Sequence, residues 1–163
     1  MIRTVGIVYN HRIAEAVTLS KQLQRVIKEL GRQAWHVRAS DLGRPDLAVP
    51  ALDMLITLGG DGTILRASRL AAPQQAVVLG VNMGQLGFLA ELGPDDVLSR
   101  IPDILGGSGW IEERMMLRTT VCSNGTDTVQ DGLNDVVVTR GGRPRAIRVG
   151  VAVNDHHLQT YVA

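Results

Sequence analysis

Apolar positions in the N-terminal part of the chain alternate between short unbroken runs and longer stripes at helical spacing. Residues 4–9 (TVGIVY) form the first run, of strand length. From Ile13, apolar side chains return at Ala16, Val17, Leu23, Val26, Ile27 and Leu30 and predict a helix. Gly31 suits its C′ position, and Arg25 and Lys28 complement the C-terminal dipole. Residues 33–38 alternate, with Trp35 and Val37 on one face, and read as a second strand. Residues 42–50 contain Gly43, Pro45 and Pro50 and read as a loop. A third run at 54–58 empties into Gly59, Gly60 and Gly62. Ile64, Leu65, Ala67 and Leu70 follow at helical spacing, with Thr63 placed to cap that helix and Pro73 to stop it. Residues 76–81 (AVVLGV) form a fourth run and lead into a second glycine-rich stretch at 82–89.

Runs that are continuous rather than alternating, separated by helices, predict a parallel sheet covered on both faces. Ligands of such sheets sit beyond the carboxyl ends of the strands. The glycine-rich stretches that leave strands three and four should therefore face one cleft. Gly93-Pro94-Asp95-Asp96 is a plausible helix start, and Val97, Leu98, Ile101 and Leu105 give a short amphipathic helix that Pro102 should break. Residues 106–109 (GGSG) read as a linker, and beyond them the pattern changes to strands. Residues 117–122 lead to Asn124-Gly125, a strong hairpin signal, with a return strand over 127–139 interrupted near Gly132. Ile147, Val149, Val151 and Val153 alternate with Arg148, Gly150 and Ala152, so one face should be buried. Asn154-Asp155 reads as a turn before a strand at 158–162. The expected division is an α/β unit over residues 1–109 and an antiparallel β portion over 110–163. That second portion is thin, with open edges.

Asp61 is the anomaly among the glycines. A strand, a glycine turn and a helix N-terminus together make an anion site, because free N–H groups and the helix dipole favour negative charge there. A carboxylate about 4 Å from a phosphate charge is repelled by roughly 4 kcal/mol at an effective dielectric near 20. A plain phosphate cradle places Lys in that role. An Asp makes sense as a proton acceptor or a metal-linked residue in phosphoryl transfer, or else as an Asx turn within a glycine-rich bend.

Composition narrows the classes. The hydrophobic fraction is 45% and the charged fraction 20%, ordinary for a globular protein, and 163 residues suffice to bury a real core. Two Trp, two Tyr and one Phe leave that core to Val, Leu, Ile and Ala. A net charge of +1 is no electrostatic footprint for nucleic acid or an anionic membrane. There is neither an apolar stretch of membrane-spanning length nor a signal-peptide pattern at the N-terminus. The lone Cys122 has no partner for an internal disulfide. These features lead us to expect a cytoplasmic protein.

The residues 58–63 (LGGDGT), 79–89 (LGVNMGQLGFL) and 133–136 (LNDV), in that order and spacing, resemble the NAD kinase family. The first motif alone is shared in part with diacylglycerol and sphingosine kinases and loosely with phosphofructokinases; the second is far more specific. The resemblance covers essentially the whole chain. It implies a Rossmann-like parallel sheet with helices on both faces, followed by the start of an antiparallel all-β domain. It also implies phosphorylation of the 2′-hydroxyl on the adenosine ribose of NAD to give NADP, with ATP or polyphosphate as donor and Mg²⁺ neutralising the triphosphate. By the same resemblance Asp61 is the proton acceptor, and Gly59, Gly60, Gly62 and Thr63 handle phosphate. Arg66 turns towards the dinucleotide, and Phe88 lines the adenine pocket. Asn134 and Asp135 grip adenine and ribose hydroxyls, a pairing suited to a carboxylate that accepts two hydroxyls. Arg145 matches a basic position that follows them. Homo-oligomers, dimers or tetramers, are usual in the family.

Ordinary readings stand beside these. Phe88 also suits the core, Asn134-Asp135 a strand-end turn, and Arg140, Arg143, Arg145 and Arg148 a solvated basic loop. Met115-Met116 should be core and Cys122 a buried small hydrophobe. His156-His157 should lie at the surface, no His, Cys and carboxylate spacing makes a zinc site, and His11 carries no assigned role. The family continues past the equivalent of Ala163 with an Asp-Gly and a Ser/Thr/Gly-rich segment that binds NAD, so the chain resembles the N-terminal half, or slightly more, of an NAD kinase. Two further readings therefore remain, a catalytically silent nucleotide-binding fragment and a lipid kinase.

Overall fold

In a computed structural model, which describes residues 2–44, 46–84, 87–139 and 146–162, the four apolar runs pair side by side. They are β1 (Thr4–Tyr9), β2 (Gln33–Arg38), β3 (Met54–Gly59) and β4 (Val77–Asn82), all parallel, in the order β2-β1-β3-β4. The register places Ile7 opposite Ile56 and Ile56 opposite Leu79, so β3 lies in the middle and every one of its residues is buried. Side-chain alternation then splits the core into two. Val5, Ile7, Ile56 and Leu79 face α1 (Ala14–Glu29) and α3 (Pro94–Leu105), while Val8 and Leu55 face α2 (Asp61–Ala71) and the loop that precedes β3. The sheet is parallel and covered on both faces, as the continuous runs require.

Local chemistry accounts for the helix ends. After α1 the chain turns at Gly31 with φ of 73°. Its N–H reaches the carbonyl of Lys28 and the Arg32 N–H reaches that of Ile27, which closes a Schellman motif. α3 runs unbroken through Pro102, contrary to the expected break. A proline in a helix interior costs about 3 kcal/mol. Burying Val97, Ile101 and Leu105 returns roughly 1.5–3 kcal/mol each, so the packed stripe prevails and the ring is left on the exposed side. α2 also begins earlier than expected: its N-cap is Gly60, and Thr63 lies in the first turn, not at the cap.

Asp53 ties the lower edge of the sheet. Its Oδ2 accepts the N–H groups of Arg3 at 2.7 Å and Thr4 at 2.9 Å, at the start of β1. Those two amides, Arg3 first, hold its carboxyl below the ordinary 3.8. A depressed folded-state pKa contributes stability that is present above the unfolded value and lost as pH falls through the folded one. Thermal midpoints measured from pH 5 downwards should therefore fall less steeply below about 4 in Asp53→Asn than in the wild type. Parallel curves for the two proteins would rule this linkage out.

Beyond α3 lie two antiparallel hairpins, β5 (Leu117–Ser123) with β6 (Thr126–Gly132), and β7 (Arg148–Val153) with β8 (His156–Val162). Both turn through residues with positive φ, Asn124-Gly125 and Asn154-Asp155, as type I′ hairpins need. Several expectations fail here, those of burial because little covers the hairpin faces. Met115 is 88% exposed and Cys122 is exposed, so neither is core. The β7 face is only half-buried at Val149 and Val151, β8 starts at His156, and the return strand β6 stops at Gly132 rather than running to 139. Where β6 meets α2, a cleft is lined by Arg69, Ala72, Pro73, Gln130 and Asp131, with Asp131 held by Arg118 at 2.8 and 2.9 Å.

Candidate active site

β3 delivers its last residue, Gly59, to the carboxyl edge of the sheet beside the end of β1, where the Asn10 N–H donates to the Leu58 carbonyl at 2.9 Å. The strand order reverses direction between β1 and β3, so this edge is the topological switch point at which parallel sheets bind ligands. The Gly60 carbonyl then accepts the N–H of Thr63 at 2.8 Å and of Ile64 at 3.4 Å, which starts α2 with Asp61 in its first turn. No side chain caps this N-terminus among the described residues. Its free N–H groups are therefore available to an anion.

The three loop glycines serve different ends. A Cβ on Gly59 would collide with the buried Thr63 side chain, 2.9 Å from its Cβ, so that glycine is demanded by packing. Among the described residues, a Cβ on Gly60 or Gly62 would meet nothing within 4 Å. Neither has a positive φ. No described residue requires glycine at these two positions, and what they leave is open backbone beside a carboxylate.

Asp61 is half-buried and engaged. Its Oδ2 accepts the Phe88 N–H at 3.0 Å and its Oδ1 the Leu89 N–H at 3.2 Å. The second glycine-rich stretch thus returns over the first, as expected of two stretches that leave the carboxyl ends of parallel strands. Residues 87–92 form a strap whose far end is fastened to β4. The N–H groups of Glu91 and Leu92 donate to the Gly80 carbonyl at 3.0 and 3.3 Å, and Leu92 bridges Val81. These bonds also replace the Asx-turn reading of Asp61, because its partners lie 27 and 28 residues away.

The other expected site residues are less closely gathered. Phe88 is 96% exposed, which removes it from the core and leaves its ring standing free above an anchored backbone. Arg66 is exposed one turn into α2 and joins no ion pair among the described residues. Asn134 and Asp135 lie exposed after β6, and among the described residues neither hydrogen-bonds to the loop. Arg145 lies outside the described residues. Gly87 and Leu89 were not singled out from sequence. Only the glycine-rich character of their stretch pointed that way, since a contact 28 residues apart leaves no periodic trace. The described residues contain no group of three or more His, Cys, Asp or Glu able to hold a metal ion.

Residues 43–108 match the family model of the ATP-NAD kinase N-terminal domain. An NAD kinase of Chloroflexus aurantiacus is 36% identical over 164 aligned positions, which cover 100% of this chain and 59% of that protein. The chain therefore spans about 59% of the length of the curated relatives it matches first. The fold is similar to that of yeast NADH kinase solved with NADH, with a TM-score of 0.73 at 19% identity, over 99% of this chain and 55% of that one. It is also similar to an Archaeoglobus fulgidus NAD kinase solved with ATP, with a TM-score of 0.63 at 17% identity, over 98% and 57% of the two chains.

Proposed function

Because the chain belongs to the NAD kinase family, we propose that it carries the phosphoryl-transfer part of an NAD kinase site, with Asp61 as the proton acceptor. The observation that carries this reading is a single carboxylate at a helix N-terminus, flanked by two glycines that packing does not require. In the reaction, the oxygen of the 2′-hydroxyl on the adenosine ribose of NAD attacks the terminal phosphorus of ATP or of a polyphosphate. The hydroxyl proton passes to Asp61, the bond to the bridging oxygen breaks, and ADP or the shortened polyphosphate leaves with NADP as the other product. Open N–H groups at Gly60 and Gly62 suit the transferring phosphoryl oxygens, and positioning with electrostatics supplies most of the catalysis in such reactions. Thr63 completes that loop by packing against Gly59.

Phe88 offers a ring for stacking on adenine, Arg66 a cation towards the dinucleotide, and Asn134 with Asp135 acceptors for ribose and adenine; Arg145 joins them by resemblance alone. Mg²⁺ fits as part of the ATP substrate. One loop carboxylate suits an ion that keeps its waters and phosphate oxygens better than an ion held in a protein cage. The division into an α/β unit at 1–109 and a β portion at 110–163 belongs to the same proposal, as do assembly into a homo-oligomer and a cytoplasmic location. No described helix is long and apolar enough to cross a membrane.

Incubation with NAD, ATP and Mg²⁺ tests the reading, and NADP is the expected product. Detectable binding of NAD or ATP without NADP would favour a silent nucleotide-binding fragment, a reading suggested by the exposure of Asn134 and Asp135. Phosphate transferred to a diacylglycerol instead would end the NAD proposal. The glycine pattern makes a sharper prediction. Gly62 is the second residue of α2 and, among the described residues, nothing stands within 4 Å of its Cβ position, so Gly62→Ala should raise stability by about 0.5–1 kcal/mol. The same methyl should weaken donor binding, seen as a raised KM for ATP. A KM equal to the wild type would remove Gly62 from the phosphate site.

A further inference from the structure

Gly87 is small because of a group on another element. A Cβ built there would stand 2.8 Å from Cγ and 3.0 Å from Oδ2 of Asp61, and would collide with Oδ1. A residue with any side chain at 87 must therefore displace the carboxylate or lift the strap. Gly84, in the same glycine-rich stretch, has nothing within 4 Å of its Cβ position among the described residues, in contrast to Gly87. The next two residues donate their N–H groups to the two different oxygens of that carboxylate. One bond to each oxygen fixes both the place of the group and its rotation about Cβ–Cγ. An ionised carboxylate offers about four lone-pair directions, so two remain for a substrate hydroxyl.

The strap is a rigid reference. Its far end is fastened to β4 through the bonds from Glu91 and Leu92 to Gly80, which do not involve Asp61. A Cβ on Gly80 would also stand 3.0 Å from the Ala90 Cα, so sheet and strap approach as closely as backbone allows. We infer that Gly87 and the N–H groups of Phe88 and Leu89 form a positioning device for the Asp61 carboxylate, with Gly87 as the positioning residue. Its catalytic meaning rests on the reading of Asp61 as the proton acceptor. The placement itself does not.

Amide proton spectra and hydrogen exchange of the ¹⁵N-labelled chain provide a test that needs no turnover. In Asp61→Ala the Phe88 and Leu89 amides should shift upfield and exchange faster, while Glu91 and Leu92 stay as in the wild type. Gly87→Ala should reproduce that signature with Asp61 still present. Wild-type Phe88 and Leu89 amides in Gly87→Ala would overturn the inference, and if that variant does not fold, unchanged amides in Asp61→Ala would do so alone. In NADP formation, Gly87→Ala should lower kcat on the order of 100-fold, as a misplacement near 1 Å does, with KM for NAD and donor nearly unchanged. A raised KM at unchanged kcat counts against the device. Absence of NADP from the wild type would strike the proposed function, and the amide comparison would still decide where the carboxylate is held.

Discussion

Asp61→Asn is expected to lower kcat for NADP formation by roughly 10²–10⁴-fold, the range a positioned general base supplies. The side chain keeps its shape, so loss of rate reports chemistry more than packing. The substitution is nevertheless not silent towards the strap. Asp61 accepts two N–H groups, from Phe88 and Leu89, one on each oxygen. An Asn side chain offers one carbonyl oxygen and turns an NH₂ towards the other donor. The half-buried Leu89 or the exposed Phe88 must then give up its partner, and an unsatisfied donor costs about 1–3 kcal/mol where water does not replace it. The variant should thus lose the proton acceptor and loosen residues 87–89 together. Steady-state kinetics separate the two: Asp61→Asn should fall further in kcat than Gly87→Ala, which keeps the acceptor and loses only its placement. A kcat for Asp61→Asn within tenfold of the wild type would sink the role of proton acceptor, whatever the strap does.

The parallel layer was legible because its signals are local. Continuous apolar runs report burial on two faces, Gly31 reports a left-handed residue after a helix, and Asn124-Gly125 reports a tight hairpin. What escaped depends on packing, which local signals do not report. Thr63 has the hydroxyl of an N-cap, yet β3 runs on to Gly59 and the chain turns at Gly60. The helix bonds therefore start earlier, and Thr63 packs on Gly59. Pro102 carries a helix-breaking signal, and the buried stripe of α3 outweighs it. Met115 and Cys122 are apolar in type, but burial also needs a covering layer, and these hairpin positions have little of one. The candidate site divides along the same line. The glycine loop and its carboxylate could be read from adjacent residues. The hold of residues 87–89 on Asp61 joins elements 27 and 28 residues apart and could not. Asn134 and Asp135 entered through family resemblance, and among the described residues they make no hydrogen bond to the loop.

The second large effect concerns the strand on which the loop rests. Ile56→Ala is expected to destabilise the α/β layer by about 2–5 kcal/mol, the range for removing a buried aliphatic side chain from a core that only partly relaxes. Ile56 is fully buried at the centre of β3, opposite Ile7 of β1 and Leu79 of β4, under α1 and α3. Neighbours held on both sides by strand pairing have little freedom to fill the cavity. For a chain of this size the thermal midpoint should fall by roughly 2–4 °C per kcal/mol. Val153→Ala is the matched comparison. That valine is 53% exposed on β7, so its loss should cost less than about 1 kcal/mol. Equal shifts in the two variants, followed by calorimetry, would show that the hairpins are packed as tightly as the parallel sheet. The loop inherits its precision from β3, because Gly59 is the last residue of that strand and Asp61 lies two residues further on. Well below its lowered midpoint, Ile56→Ala should therefore retain most of the wild-type kcat per folded molecule. On warming it should lose activity in step with the sheet, ahead of any change in the chemistry at Asp61.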